Sequence, residues 1–322
     1  MTTQDDAASS PGASGETRTW TVPSKLAGQR LDLALRELEP SLSRARIKVA
    51  IAKGAVKVNG RHVAKGGTVS EGDEVSLVVG VAADPEAPAI PEPDAPLVVL
   101  AESEDWVIVD KPAGQASAPL RNGETGALAN AIAGHYPETQ GVGYSPREPG
   151  LLHRLDTQTS GVLLVARSKE TYDELADALK AGDIEKKYLL LCKEGDLADE
   201  GTIEIPIANH PKDSRRVYPC IHPRDVMRNS PRPALTEYVV KERKNGIALV
   251  EVSISRAIRH QIRAHFSAIG SPLLGDVLYG GAPIEGLARH ALHASFIGYQ
   301  KKAVEPFAVS SELPPDLRAL ID

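Results

Sequence analysis

Apolar positions near the start of the chain recur first at helical and then at strand spacing. Leu31, Ala34, Leu35 and Leu38 fall three and four apart, which is one face of a helix, and Pro40 ends it. Ser43 is a good N-cap for a second helix that buries Ile47, Ala50 and Ile51 and stops at Gly54. The period then shortens. Alternation through Val56, Lys57 and Val58, the pair Asn59-Gly60, and Val63 predict a hairpin with a type I′ connection. A Gly72-Asp73 turn leads into a strand over 75–79.

Beyond residue 96 the pattern describes a larger body. Strands are predicted over 98–100 and 106–109, the second running into a sharp turn at Asp110-Lys111-Pro112-Ala113-Gly114. The apolar run 162–166, opened by Gly161, reads as a buried strand. Ser168 starts a helix with Tyr172, Leu175, Ala176 and Leu179 on one face, closed by Gly182. Strands follow over 185–191, which holds Tyr188, and over 249–254. The stretch 259–268 predicts a helix that buries Ile262, Phe266 and Ile269 and sets Arg259 and Arg263 one turn apart on one face. His290-Ala291-Leu292-His293 leads into a last strand. Residues 209–232 have no regular period. Many short strands with few good helices give an α+β fold with a mixed, largely antiparallel sheet rather than repeated βαβ units. Four segments result: a disordered tail over 1–17, a small module over 18–80, a stiff acidic Ala/Pro linker over 81–96, and a large domain over 97–322.

Composition changes this picture in one respect. The chain has 322 residues, is 42% hydrophobic and carries a net charge of -6, which by itself argues against a nucleic-acid binder. The charge is segregated, however. Residues 28–66 hold nine Lys/Arg against three acids, while 80–105 hold seven acids and no Lys/Arg. Residues 209–232 add six Lys/Arg against two Asp. Local basic patches on an acidic chain suit a polyanionic partner. No apolar run approaches the ~18 residues needed to cross a bilayer. Two cysteines, Cys192 and Cys220, make no disulfide framework, so a cytoplasmic setting is expected.

Several chemistries lack their usual residues. There is no Walker A loop, no Gly-x-Gly-x-x-Gly, no Cys-x-x-Cys and no Gly-x-Ser-x-Gly. His260, His265, His290 and His293 have no accompanying carboxylate or thiolate ligands in the pattern, so they read as structural and no metal site is expected. What remains is Asp156, in the polar segment His153-Arg154-Leu155-Asp156-Thr157 between two apolar runs. Either it caps its own turn, or a fixed loop presents a single acid for work at an anomeric carbon; hydrolysis would call for two.

The first module resembles the S4 RNA-binding domain through Arg30-Leu31-Asp32, Ser43-Arg44, Gly54-Ala55-Val56-Lys57-Val58-Asn59-Gly60 and Gly72-Asp73. Its second helix carries Arg44, Arg46, Lys48 and Lys53. The large domain resembles the RluA-type pseudouridine synthases. The matching residues run from Gly150 through His153-Arg154-Leu155-Asp156 and Thr159-Ser160-Gly161. They continue with Asp110 to Gly114, Lys187-Tyr188, His210-Pro211-Lys212-Asp213, His260-Gln261-Ile262-Arg263, Gly275-Asp276, Tyr279-Gly280 and His290 to Ala294. The resemblance implies a pseudouridine synthase catalytic domain acting on RNA, with ribosomal RNA of the large subunit favoured by the S4-like module. It implies Asp156 as the catalytic carboxylate, attacking or stabilising ribose C1′. Tyr188 would lie against the flipped base and help remove the C5 proton, and Arg263 would pair with Asp156 and aim it. Arg154 would fill the gap left by the extruded base, with Lys212, Arg215 and Arg259 on phosphates. Isomerisation adds no atoms, so no cofactor is expected, and a monomer is the default. Two departures stand out: Ile258 occupies a place where the family commonly has arginine, and Gln115 to Leu120 replaces an apolar-His-Pro stretch. A non-catalytic RNA-binding or ribosome-assembly protein, a transfer-RNA enzyme and an N-glycosidase are the alternatives.

Overall fold

The computed structural model describes residues 17–40, 42, 44–63, 66–78, 87–301 and 303–322. Chain contacts divide it into two units, Met1–Pro85 and Glu86–Asp322.

The first unit contains β1 (Thr17–Thr21), α1 (Leu31–Leu38), α2 (Arg44–Ala52), β2 (Val56–Val58), β3 (Arg61–His62) and β4 (Glu74–Val78). Its sheet runs β1-β4-β2-β3, with β1 absent from the sequence reading. The expected core is present: Leu31, Ala34, Leu35, Ile47 and Ala50 are buried against Val56, Val75 and Leu77. The β2–β3 hairpin closes through Asn59 and Gly60, both at positive φ (49° and 75°), as a type I′ turn requires. The expected cap at Ser43 lies outside the described residues, as does the expected disordered tail except for Thr17, which belongs to β1.

The second unit contains β5 (Val98–Glu102), β6 (Trp106–Lys111), α3 (Leu128–His135), β7 (Ser160–Ala166), α4 (Lys169–Ala181), β8 (Glu185–Lys193), β9 (Glu200–Ile203), β10 (Ile207–Asn209), β11 (Val217–Pro219), α5 (Pro223–Asn229), β12 (Thr236–Lys244), β13 (Ile247–Ser253), α6 (Gln261–Ala268), β14 (Leu292–Tyr299), β15 (Phe307–Ser310) and α7 (Pro315–Arg318). One nine-stranded sheet runs β5-β6-β7-β14-β8-β13-β12-β9, with β15 added to β14. Only β7 and β14 pair in parallel. All seven residues of β7 are buried, which is why its sequence is continuously apolar after Ser160 and Gly161. Ser168 caps α4 by accepting from the Thr171 amide, and Gly182 ends it in the left-handed conformation.

The structure corrects four expectations. Residues 87–96 do not stand clear as a linker. The Glu92 amide donates to Asn130 O, Asn130 Nδ2 donates to Ile90 O, and Ala89 is buried, so this acidic stretch packs on the second unit. Its acidic composition misled, because main-chain groups and Ala89 fasten the stretch and the Glu92 carboxylate itself accepts from the Gly126 amide at 2.7 Å. Residues 209–232 are not irregular throughout, but hold a β10–β11 ladder and α5. The helix α6 begins at Gln261 because His260 has a left-handed backbone (φ 56°); Arg259 therefore lies before the helix and does not share a face with Arg263. Ile269, expected in the core, sits at the end of that helix and is 39% exposed.

Candidate active site

One row of residues across the sheet sets the site. Lys111 on β6 lies opposite Gly161 on β7, Gly161 opposite Ala294 on β14, and Ala294 opposite Tyr188 on β8. Gly161 is required at the middle of this row. A Cβ there would come 2.1 Å from Ala294 O, so any side chain would force β7 and β14 apart. The loop carrying Asp156 enters β7 at this point.

Buried main-chain partners fix the loop. The Lys111 ammonium is fully buried and donates to the carbonyls of Pro112 (2.9 Å), Gln115 (2.8 Å) and Thr157 (3.2 Å), tying the turn after β6 to the residue after Asp156. Burial pushes its pKa down to about 8, with the Asp156 charge acting against that. Ser117 Oγ donates to Leu155 O and accepts from the Leu155 amide. The Thr159 amide donates to Asp156 O, and Gly114 N to Thr157 O. Thr159 and Ser160 bond the rings of His290 and His293 at 2.7 and 2.9 Å. Asp156 thus occupies a turn closed by its main-chain carbonyl, and its side chain caps no amide of that turn among the described residues, so the reading in which the Asp merely caps backbone does not hold.

That carboxylate meets α6. Arg263 Nη1 donates to Asp156 Oδ2 at 2.8 Å, while its Nε and Nη2 donate to Asp276 at 2.7 and 2.8 Å. Burial alone would lower the Arg263 pKa, but Asp276 and then Asp156 more than offset it and hold it above the usual value. The guanidinium lies over the Tyr279 ring, 5.0 Å from its centroid. Tyr188 is buried; burial first and the Asp156 charge second push its phenol upward, so it stays protonated through neutral pH. Of the three residues expected to carry catalysis, Asp156 and Arg263 are therefore in direct contact, and Tyr188 is buried where it feels the Asp156 charge. Asp276 and Tyr279 had been placed in the pattern without a role. The available signal was two further groups able to hold a guanidinium, in a turn just after the helix.

The expected RNA contacts are scattered. Arg154 is exposed and pairs with Glu148 at 2.8 Å. Lys212 is exposed, and Arg215 is exposed but forks onto Asp213. Arg259 donates to the carbonyls of Ser214 and Arg216, so it holds the 214–216 loop. In the first unit Lys48 and Lys53 are exposed, Arg46 is half-buried, and the side chain of Arg44 lies outside the described residues. On α5, Arg224, Met227 and Arg228 are exposed and no side chain is buried. Among the described residues no group of three or more His, Cys, Asp or Glu could hold a metal ion, and no helix is long and apolar enough to cross a membrane.

A mixed sheet presenting a part-exposed carboxylate to a buried guanidinium, itself held by a second, buried carboxylate, defines the site, and comparison with known proteins identifies the class. The chain belongs to the RNA pseudouridylate synthase family, whose model matches residues 105–268; the S4 domain model matches residues 29–75. It is therefore an isomerase with an S4 module. Among curated relatives, it is 33% identical to a ribosomal large subunit pseudouridine synthase D of Xanthomonas campestris, over 94% of this chain and 91% of that one. An uncharacterized RNA pseudouridine synthase of Aquifex aeolicus is 36% identical over 78% of this chain and 77% of its own. The fold matches human RNA pseudouridylate synthase domain containing 1, with a TM-score of 0.57 and 24% identity, over 71% of this chain and 89% of that one.

Proposed function

We propose that this protein converts uridine to pseudouridine in large-subunit ribosomal RNA, in the cytoplasm and as a monomer, with Asp156 as the carboxylate that meets ribose C1′. The observation that carries the reading is the held carboxylate: Arg263 grips Oδ2 at 2.8 Å and is itself gripped by Asp276, with Tyr188 in the same field. As the C1′–N1 bond breaks, its electron pair goes to the uracil and Asp156 bonds to C1′ or counters its charge. The uracil turns in place, C5 forms the new bond to C1′, the C5 proton leaves and N1 gains one. No atom is added, so the reaction needs no cofactor. A uridine within a helix must first be everted, which costs a few kcal/mol, and the planar guanidinium of Arg154 suits the vacancy. The names of the relatives and the S4 match support ribosomal RNA as the substrate. Lys212, Arg215 and the exposed arginines of α5 serve as its phosphate contacts on this unit.

The test is an assay with uridine-labelled large-subunit ribosomal RNA. Wild type yields pseudouridine, and Asp156→Asn binds the RNA and yields none. Free uracil would make it a glycosidase, no product from wild type would make it a binding protein, and turnover by Asp156→Asn would refute the assigned carboxylate.

A further inference from the structure

The hydrogen bonds of two side chains beside the carboxylate favour one protonation pattern. The Tyr279 hydroxyl accepts from the Val217 amide at 2.8 Å. The same oxygen lies 2.9 Å from His260 Nδ1. Burial raises the Tyr279 phenol, so it keeps its proton, and with an amide already donating to its oxygen that proton is available to the imidazole. Burial lowers the His260 pKa, with Asp156 acting against it and Arg263 and Arg259 adding to it, so the ring is neutral. A neutral imidazole whose Nδ1 accepts must carry its hydrogen on Nε2. Nε2 faces Asp156 Oδ2 at 3.5 Å.

Both nearby donors therefore bear on the same oxygen. Arg263 Nη1 makes a full hydrogen bond to Oδ2, and His260 Nε2 lies 3.5 Å from the same oxygen, long for a hydrogen bond, as such contacts often are before substrate binds. Asp156 Oδ1 accepts no hydrogen bond among the described residues, and the side chain is 26% exposed. The backbone supplies a separate pointer. His260 holds a left-handed conformation (φ 56°) that is uncommon for a non-glycine residue, and such strain collects at functional sites. It sits directly before α6, one turn from Arg263. Tyr279 serves both partners, since its ring also lies under the Arg263 guanidinium.

We propose that His260 and Tyr279 are positioning residues that lock the Asp156 carboxylate through Oδ2, so that Oδ1 is the oxygen presented to ribose C1′. The inference rests on the reading of Asp156 given above. Tyr279 holds the imidazole tautomer, the imidazole and Arg263 fix the carboxylate plane, and the unbonded oxygen of the part-exposed side chain is left for the substrate.

The test combines a spectroscopic and a kinetic readout on the full chain. In nitrogen-15 histidine spectra at neutral pH, His260 shows the Nε2–H tautomer, and Tyr279→Phe moves its Nδ1 resonance to that of an imidazole nitrogen that accepts no hydrogen bond. His260→Asn tolerates the left-handed backbone but is too short to reach Oδ2. It lowers kcat on the order of tenfold with KM unchanged, since misplacing a reacting group by an ångström costs about a hundredfold. His260→Gln, which returns an N–H donor, recovers part of the loss. An Nδ1–H or imidazolium form in the wild type, or native kcat in His260→Asn, overturns the proposal. Asp156→Asn run alongside separates the two failures. If it is inert while His260 shows Nδ1–H, the positioning claim alone falls; if it turns over, the reading of Asp156 falls and takes the claim with it.

Discussion

Two sets of positive charge in this chain are built in opposite ways. In the second unit Arg263 is 6% exposed and makes three hydrogen bonds to two carboxylates, with an aromatic ring beneath it. In the first unit Lys48 on α2 and Lys53 just after it are exposed to water, while the other face of that helix, Ile47 and Ala50, is fully buried. A desolvated charge depends on every partner, and loss of one leaves the rest uncompensated. Solvated charges act through a shared, screened field and are nearly interchangeable. The network around Asp156 should therefore fail steeply at single positions, and the basic helix should fail gradually.

The sharpest way to break this contrast is Arg263→Lys. The charge is kept, but an ammonium on a flexible stem cannot fork onto Asp276 and also reach Asp156. At saturating RNA, kcat should fall by about a hundredfold or more, while KM changes little because RNA affinity lies elsewhere. A lysine variant within a few-fold of native kcat would mean that the buried fork does not aim Asp156.

The same contrast governs what could be read from the sequence. The S4-like module was legible because its helices and hairpin follow local rules: apolar spacing in α1 and α2, and two positive φ angles at Asn59-Gly60. The strand β1 was not, since its residues are mostly exposed and carry no periodic apolar face. At the candidate site, Asp156, Tyr188 and Arg263 were singled out through motif resemblance, and their placement depends on a sheet register that pairs residues more than a hundred apart. Asp276, Tyr279 and His260 gained roles only when the fold was known. A carboxylate, a phenol and an imidazole in sequence give no sign that their hydrogen bonds converge on one side chain. The linker error has the same origin. Charge and proline content predicted solvent exposure for 87–96, whereas main-chain bonds to α3 decide its place.

Acid sharpens the comparison at intermediate size. Burial holds His153 at about 3, and burial together with the nearby Arg263 holds His290 at about 4, against an ordinary value of 6.5. Both stay neutral in the folded unit while the unfolded chain takes up protons below pH 6.5. The stability they contribute is therefore present above that pH and lost as pH falls towards 4, by about 1.4 kcal/mol per pH unit for each histidine. The apolar core of the first unit contains no histidine. The two tryptophans fall one in each unit, Trp20 in β1 and Trp106 in β6. In a Trp20→Phe variant, Trp106 fluorescence should report a urea midpoint for the second unit that drops steeply between pH 6.5 and 4. A flat profile would show that these rings are not excluded from protonation.

The smallest effect belongs to the solvated helix. Lys48→Glu with Lys53→Glu reverses two exposed charges without touching the buried side of α2, so the first unit should fold as before. RNA affinity should fall roughly tenfold at moderate salt. The slope of log affinity against log salt should flatten by about 1.5, because each phosphate contact contributes roughly 0.7 to 0.9. At saturating RNA, kcat should be unchanged, since Asp156 and its network lie in the other unit. Binding isotherms across a salt series, read beside single-turnover rates, check both halves. An unchanged slope would remove this face from the RNA contact, whereas a drop in saturated kcat would mean that the basic helix takes part in presenting the uridine and that the two kinds of charge are coupled.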